Sequence, residues 1–279
     1  MSTKAAIPLA IRFKSMVYRT IFTIVTENTA STVTARYAIA LASAVNARLV
    51  LYAAHAGDNE RTTIHSERHL DHLFAVVHGN GIPVTRITET GAITDLLPKR
   101  VRAEKADLVF YPLATGEEYD TPLQGAIVHS FMQSIKADLA IMRIVHMGKP
   151  HPGHILVPLG GIVGQSERRI NFLAAMAKCF HSHVTLFHRV QTEKKIIPQD
   201  IIRLRDALRL HHLNILERTG TGHIGKSIIL EAISHHNDLI IMGASERSIL
   251  RRLFFGDPAG HVISRPPCNA ILFRPAPES

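Results

Sequence analysis

The chain repeats itself at a fixed distance. Asp107 and Asp238 open the runs DLVFY and DLIIM at an offset of 131, shared by Gly91/Gly222, Gly125/Gly256 and Arg143/Arg274. A spacing held without a gap over residues 91–143 marks a duplicated unit. Upstream the offset drifts to 134 at Ile21/Ile155, so the loops there differ in length. The 279 residues divide into two copies, each large enough for its own core. We expect a first domain over 1–147, a linker over 148–153, rich in Gly and Pro, and a second domain over 154–279.

Each copy alternates strand and helix. In the second, HILVPLG, HVTLFHRV, LNILERT, DLIIMGA and NAILFRP read as strands. Between them SERRINFLAAMAKCF, QDIIRLRDALRLHH, GKSIILEAISHH and a stretch around 257–265 read as helices. The first copy runs in the same order, from YRTIFTIVT to DLAIMRI, with ERHLDHLFAVVHGN as its second helix. Parallel neighbours need a crossover, so this alternation predicts parallel strands with helices on both faces.

Composition narrows the function classes. Hydrophobic residues make up 46% and charged ones 20%, the balance of an ordinary globular protein. No apolar run approaches the roughly 18 residues of a membrane span. The start, MSTKAAIPLAIRFKSMVYRT, has scattered positive charge and no small-residue cleavage site, so a signal peptide is not expected. Cys179 and Cys268 lie far apart without metal spacing, which suits structural thiols in a reducing cytoplasm. The formal charge of +9 favours acidic partners such as nucleotides. The basic residues are dispersed and Trp is absent, so a nucleic-acid stacking surface is not expected.

The segments ILVPLGG, DLIIMGASERS, RRLFFGDPAGHVI and PPCNAILFRP, spread over 154–275, resemble the universal stress protein family. LVFYPL, QGAIVHSF and ADLAIMRI carry a fainter likeness in the first copy. The resemblance implies α/β architecture: two five-stranded parallel sheets of order 3-2-1-4-5, Rossmann-like and of the adenine nucleotide α-hydrolase type. It also implies a cytoplasmic, non-catalytic stress-response protein that acts by binding a ligand or partner. Any nucleotide, ATP or another adenine nucleotide, would lie between the first and fourth strands, where strand order reverses.

ATP-binding members carry G-x-x-G, nine residues, then G-[ST]. In GASERSILRRLFFGDP, residues 243–258, Gly243 and Gly256 match and the spacing holds. Glu246 stands at the second glycine, Asp257 at the hydroxyl, and Pro258 removes an N–H donor. A carboxylate about 4 Å from a phosphate charge costs about 4 kcal/mol at an effective dielectric near 20, partly offset by Arg247, Arg251 and Arg252. Asp257-Pro258 also reads as a plain helix start, a capping Asp followed by Pro. The resemblance therefore implies a degenerate crevice of Pro158, Leu159, Gly160, Met242, Gly243, Glu246, Arg247, Gly256 and Asp257, with weak ATP affinity or none. In the first copy the motif positions read Pro112, Thr115, Gly125 and Ala126, so that site is expected to be lost.

Two other patterns compete. GTGHIGKS, 220–227, fits the P-loop pattern, with Lys226 for the β/γ-phosphates and Ser227 for Mg²⁺ in an NTPase or phosphotransferase. Its strand LNILERT is half polar and its duplicate ETGAITDLL lacks both residues, so a strand-to-helix turn is the expected reading. HSERHLDH places His65, His69 and His72 on one helical face, a candidate metal site for a scaffolding regulator; a solvated polar stripe is the plainer reading. No histidine has a Ser/Asp or Cys partner at the spacing of a catalytic triad, so no catalytic residue is assigned. The last strands, DLAIMRI and NAILFRP, would leave apolar sheet edges. The resemblance implies that they pair antiparallel across a two-fold axis, joining the copies in one chain and leaving homodimerisation open.

Overall fold

The computed structural model describes residues 18–57, 60–113, 122–148, 151–159, 166–190, 199–243, 262 and 266–277. The first half contains β1 (Thr20–Ile24), α1 (Thr29–Val45), β2 (Arg48–His55), α2 (Glu60–Gly79), β3 (Val84–Thr90), α3 (Ile93–Ala103), β4 (Leu108–Leu113), α4 (Pro122–Ser134) and β5 (Asp138–Arg143). The second contains β6 (His154–Leu159), α5 (Ser166–Cys179), β7 (His183–Arg189), α6 (Gln199–Leu210), β8 (Ile215–Gly220), α7 (Ile224–Ser234), β9 (Leu239–Gly243) and β10 (Asn269–Arg274). The helix expected around 257–265 lies outside the described residues, apart from Val262. α2 begins seven residues before the expected start at Glu67. The polar ERTTIHS stretch carries little apolar periodicity, so its helicity is hard to see in the sequence.

The strands form one sheet ordered β3-β2-β1-β4-β5-β10-β9-β6-β7-β8. Each half has the expected 3-2-1-4-5 order, and β5 and β10 join them antiparallel. Position in the sheet follows residue pattern. β5 and β10 are buried along their whole lengths and are continuous apolar runs closed by arginines. The outermost strands, VTRITET and ILERTG, alternate or mix exposed and half-buried residues. A strand covered on both faces needs apolar side chains on both, whereas an edge strand does not. One core fills the face under α1, α2, α5 and α6, and another the face under α3, α4 and α7.

The duplication is visible bond by bond. Asp107 Oδ2 accepts from the N–H groups of Arg19 and Thr20, and Asp238 Oδ2 accepts from those of Gly153 and His154. Each Asp ties the entry of its half's fourth strand to the entry of the first. At the seam, Ile141 faces Leu272, and these two residues are themselves 131 apart. The pairs Arg143–Ala270 and Leu139–Arg274 exchange under that same offset, so the strand pairing has an internal two-fold through Ile141 and Leu272. Asp138 Oδ1 accepts from Ala276 N–H at 2.7 Å, and its duplicate Asn269 accepts through Oδ1 from Val145 N–H at 2.8 Å. Asp138 also accepts from Tyr18 Oη and Arg168 Nη1, both at 2.9 Å. α1 reaches the second half through Tyr37, whose ring meets Phe180 edge-on.

No helix among the described residues is long and apolar enough to cross a membrane. Both cysteines are free. Burial pushes the Cys179 thiol up to about 11 and Cys268 up to about 12.

Candidate functional site

β6 and β9 are neighbours, yet they pair only at Ile155–Leu239 and Leu156–Ile240. β7, on the other side of β6, is paired along the whole of β6, from His154–His183 to Leu159–His188. β6 and β9 therefore part towards their carboxyl ends, and the order of the second half reverses between them. This is where an open α/β sheet presents a ligand crevice. Pro158 and Leu159 end β6, and Met242 and Gly243 end β9, so these four expected site residues meet at one opening. Gly160, Glu246, Arg247, Gly256, Asp257 and Pro258 lie outside the described residues, as does Thr115 of the first copy.

The side chain that dominates this opening was not among the expected ones. Arg169, on the first turn of α5, lays its guanidinium against Gly243. A Cβ added to Gly243 would lie 2.7 Å from Arg169 Nη1 and closer still to Cζ and Nη2. Any other residue at 243 would displace the arginine. Arg169 Nε is fully buried without a hydrogen-bond partner among the described residues, and burial lowers the guanidinium's proton affinity. The signal in the sequence was the pair Arg168-Arg169 opening an otherwise apolar helix. The two arginines diverge: Arg168 crosses the seam to Asp138, while Arg169 turns to the crevice.

A second polar group at this edge was also missed. His188, paired in register with Leu159, is 3% exposed. Neither of its ring nitrogens has a partner among the described residues. His188 is two residues from Leu186, whose side chain lies in the core beneath α5 and α6. Side chains two apart on a strand share a face, so His188 lies on the same face as Arg169.

The P-loop-like segment is placed elsewhere. β8 is the last strand of the sheet, so GTGHIGKS leaves an edge strand rather than the crevice. Ser227 Oγ donates to the carbonyls of Thr221 at 2.9 Å and His223 at 3.1 Å, so the hydroxyl serves to close the turn into α7. Lys226 is exposed. Gly220 is required by packing, because a Cβ there would overlap the Phe187 ring.

The histidine face of α2 is similarly dispersed. His69 Nδ1 lies 3.0 Å from the Thr26 carbonyl, while His65 and His72 are exposed. No group of three candidate metal ligands occurs among the described residues. His181, His212 and His236 end helices with positive φ of 52°, 58° and 49°, the left-handed position that glycine or asparagine usually takes. A surface groove of about 550 Å³, lined in part by His146, His236, Asp238 and Cys268, opens at the other end of β9.

Residues 185–274 match the universal stress protein family model. Among solved structures, a universal stress protein from Archaeoglobus fulgidus superimposes with a TM-score of 0.68 at 12% identity, covering 96% of this chain and 99% of that one. A functionally unknown protein from Pseudomonas aeruginosa matches with a TM-score of 0.61 at 14% identity, covering 93% of each chain. The cytoplasmic domain of a prokaryotic cation chloride cotransporter shares the fold, with a TM-score of 0.62 at 11% identity over 94% of this chain and 97% of that one. No curated protein matches the chain. Residues 185–274 thus carry the pattern of the universal stress protein family, and the whole ten-stranded sheet shares the fold of the Archaeoglobus protein.

Proposed function

We propose that this protein is a non-catalytic, cytoplasmic stress-response protein that works by binding, with its second half, 154–279, holding the ligand crevice. Residues 1–147 form the first unit, whose crevice has been lost, and 148–153 connect the two. The observation that carries this reading is the parting of β6 and β9 at the switch point, with Gly243 exposed at its mouth. Pro158, Leu159, Gly160, Met242, Gly243 and Gly256 are the proposed lining. Glu246 and Asp257 stand at motif positions that ATP-binding members fill with small residues, which would add negative charge to the site, and Pro258 lacks an N–H donor. The crevice is therefore assigned a ligand other than a tightly held ATP. Hydrolysis would need a nucleophile–base pair or a carboxylate set for Mg²⁺, and no residue is assigned either role.

Calorimetric titration with ATP, ADP and AMP, each with and without Mg²⁺, tests the reading. The expected result is millimolar or undetectable ATP binding and no phosphate release. Micromolar ATP uptake, or turnover that depends on Mg²⁺, would overturn it.

A further inference from the structure

The two halves are copies, so each residue at the second crevice has a counterpart in the first. The first-strand entries Thr20 and His154 are 134 apart, and their partners Arg48 and His183 are 135 apart. The ends of α1 and α5 also align at 135: Ala47 N–H donates to the Ala42 carbonyl as Ser182 N–H donates to that of Ala177. That offset matches Arg169 with Thr34 on α1 and His188 with Ala53 on β2. Gly243 matches Pro112 at the offset of 131. Thr34 and Ala53 are fully buried. Where the first half has Thr, Ala and Pro, the second carries a guanidinium, an imidazole and a bare glycine.

Arg169 Nε and both nitrogens of His188 are buried without hydrogen bonds among the described residues, an expensive arrangement for groups that serve packing alone. Arg169 also sits on the first turn of α5, where the helix dipole opposes a cation and favours an anion. The guanidinium charge and the positive helix end therefore act on the same opening. His188 lies two strands from Gly243, about 10 Å or more, since the usual inter-strand spacing is a lower bound where β6 and β9 part.

Resting on the crevice reading above, we propose that the second half binds a compact organic anion. Its single phosphoryl or carboxylate group is held by Arg169 beside Gly243, and a hydrogen-bonding head about 10 Å or more away is held by His188. A single resident arginine beside a bare glycine suits one short anionic group better than a polyphosphate chain. The first half has no such site.

AMP, adenosine, inorganic phosphate, acetate and ATP are titrated calorimetrically into the full chain and into Arg169→Gln, Arg169→Lys and His188→Phe. Thermal melts of each protein are recorded with and without AMP. The wild type is expected to bind AMP more tightly than ATP, and phosphate or acetate detectably. Arg169→Gln weakens AMP and the simple anions by about tenfold to a hundredfold, the loss typical of charge-assisted hydrogen bonds. Arg169→Lys restores part of the affinity, and His188→Phe weakens AMP without affecting phosphate. Without ligand, Arg169→Gln melts at the wild-type temperature or above, because a half-buried guanidinium with an unpartnered Nε has gone, and it loses the rise in melting temperature that AMP gives the wild type. A lower unliganded melting temperature with unchanged anion affinity would show that Arg169 serves the fold, and would overturn the proposal. Equal binding of adenosine and AMP to wild type and Arg169→Gln would keep the crevice and discard its anion specificity. Binding of none of the five probes would remove both.

Discussion

Glu89 on β3 accepts from Arg100 on α3, and at 2.9 Å from Tyr52 Oη on β2. The Arg100 hydrogen bond, aided by Tyr52, holds the Glu89 carboxyl below the usual carboxylate range. A depressed folded pKa contributes stability that is present above the unfolded carboxyl value of about 4.3 and is lost as pH falls through the folded value. Glu89→Gln should therefore lower stability at pH 7 by about 1 kcal/mol, since both side chains are partly exposed. It should also flatten the acid limb of the urea midpoint measured from pH 7 down to pH 3. An unchanged acid limb would mean that the pair contributes nothing. Glu89 and Arg100 are ordinary charged residues in the sequence and Tyr52 a core one, and only the stacking of α3 over β2 and β3 brings the three together. The same limit hid Arg169 and His188: their types were visible, their lack of partners was not.

At the scale of elements, the turn from β8 to α7 separates motif from function. Gly222 takes a φ of 80°, and Gly220 has no room for a methyl group against Phe187 and Ser227. Gly220→Ala is expected to cost about 1–3 kcal/mol by overpacking, with crevice binding unchanged. Lys226→Ala should alter neither stability nor nucleotide affinity, because its side chain is exposed on an edge element. Loss of nucleotide binding in Lys226→Ala, measured beside Gly220→Ala, would reinstate the P-loop. The half-polar strand and the missing duplicate were legible beforehand. What the sequence lacked was the Ser227 hydroxyl's engagement with two carbonyls, which depends on how the turn closes.

For the whole molecule, the core beneath α1, α2, α5 and α6 runs without a break from Tyr18 to Phe273, and Phe110 of β4 meets Phe172 of α5 across the seam. The two halves should therefore unfold as one unit. All five tyrosines lie in residues 18–119 and Trp is absent, so tyrosine fluorescence reports on the first half and, through Tyr37 against Phe180, on its contact with the second. Leu272→Ala, in the second half at the centre of the internal two-fold, is expected to cost about 2–4 kcal/mol. It should shift the urea midpoint seen by tyrosine fluorescence as much as that seen by far-UV circular dichroism. A fluorescence midpoint left in place would mean that the halves fold independently.

Duplication and strand–helix alternation could be read from the chain, because they depend on periodic burial and on an offset that any copy preserves, whereas the five-strand order of each half was implied by the family resemblance. The antiparallel joining of β5 to β10 was implied by family resemblance and follows physically from two strands with apolar centres that need covering. The tertiary structure alone showed which polar side chains are left without partners once that burial is complete. Partnership is settled by neighbours hundreds of residues or one strand away, and the linear order of residues does not encode it.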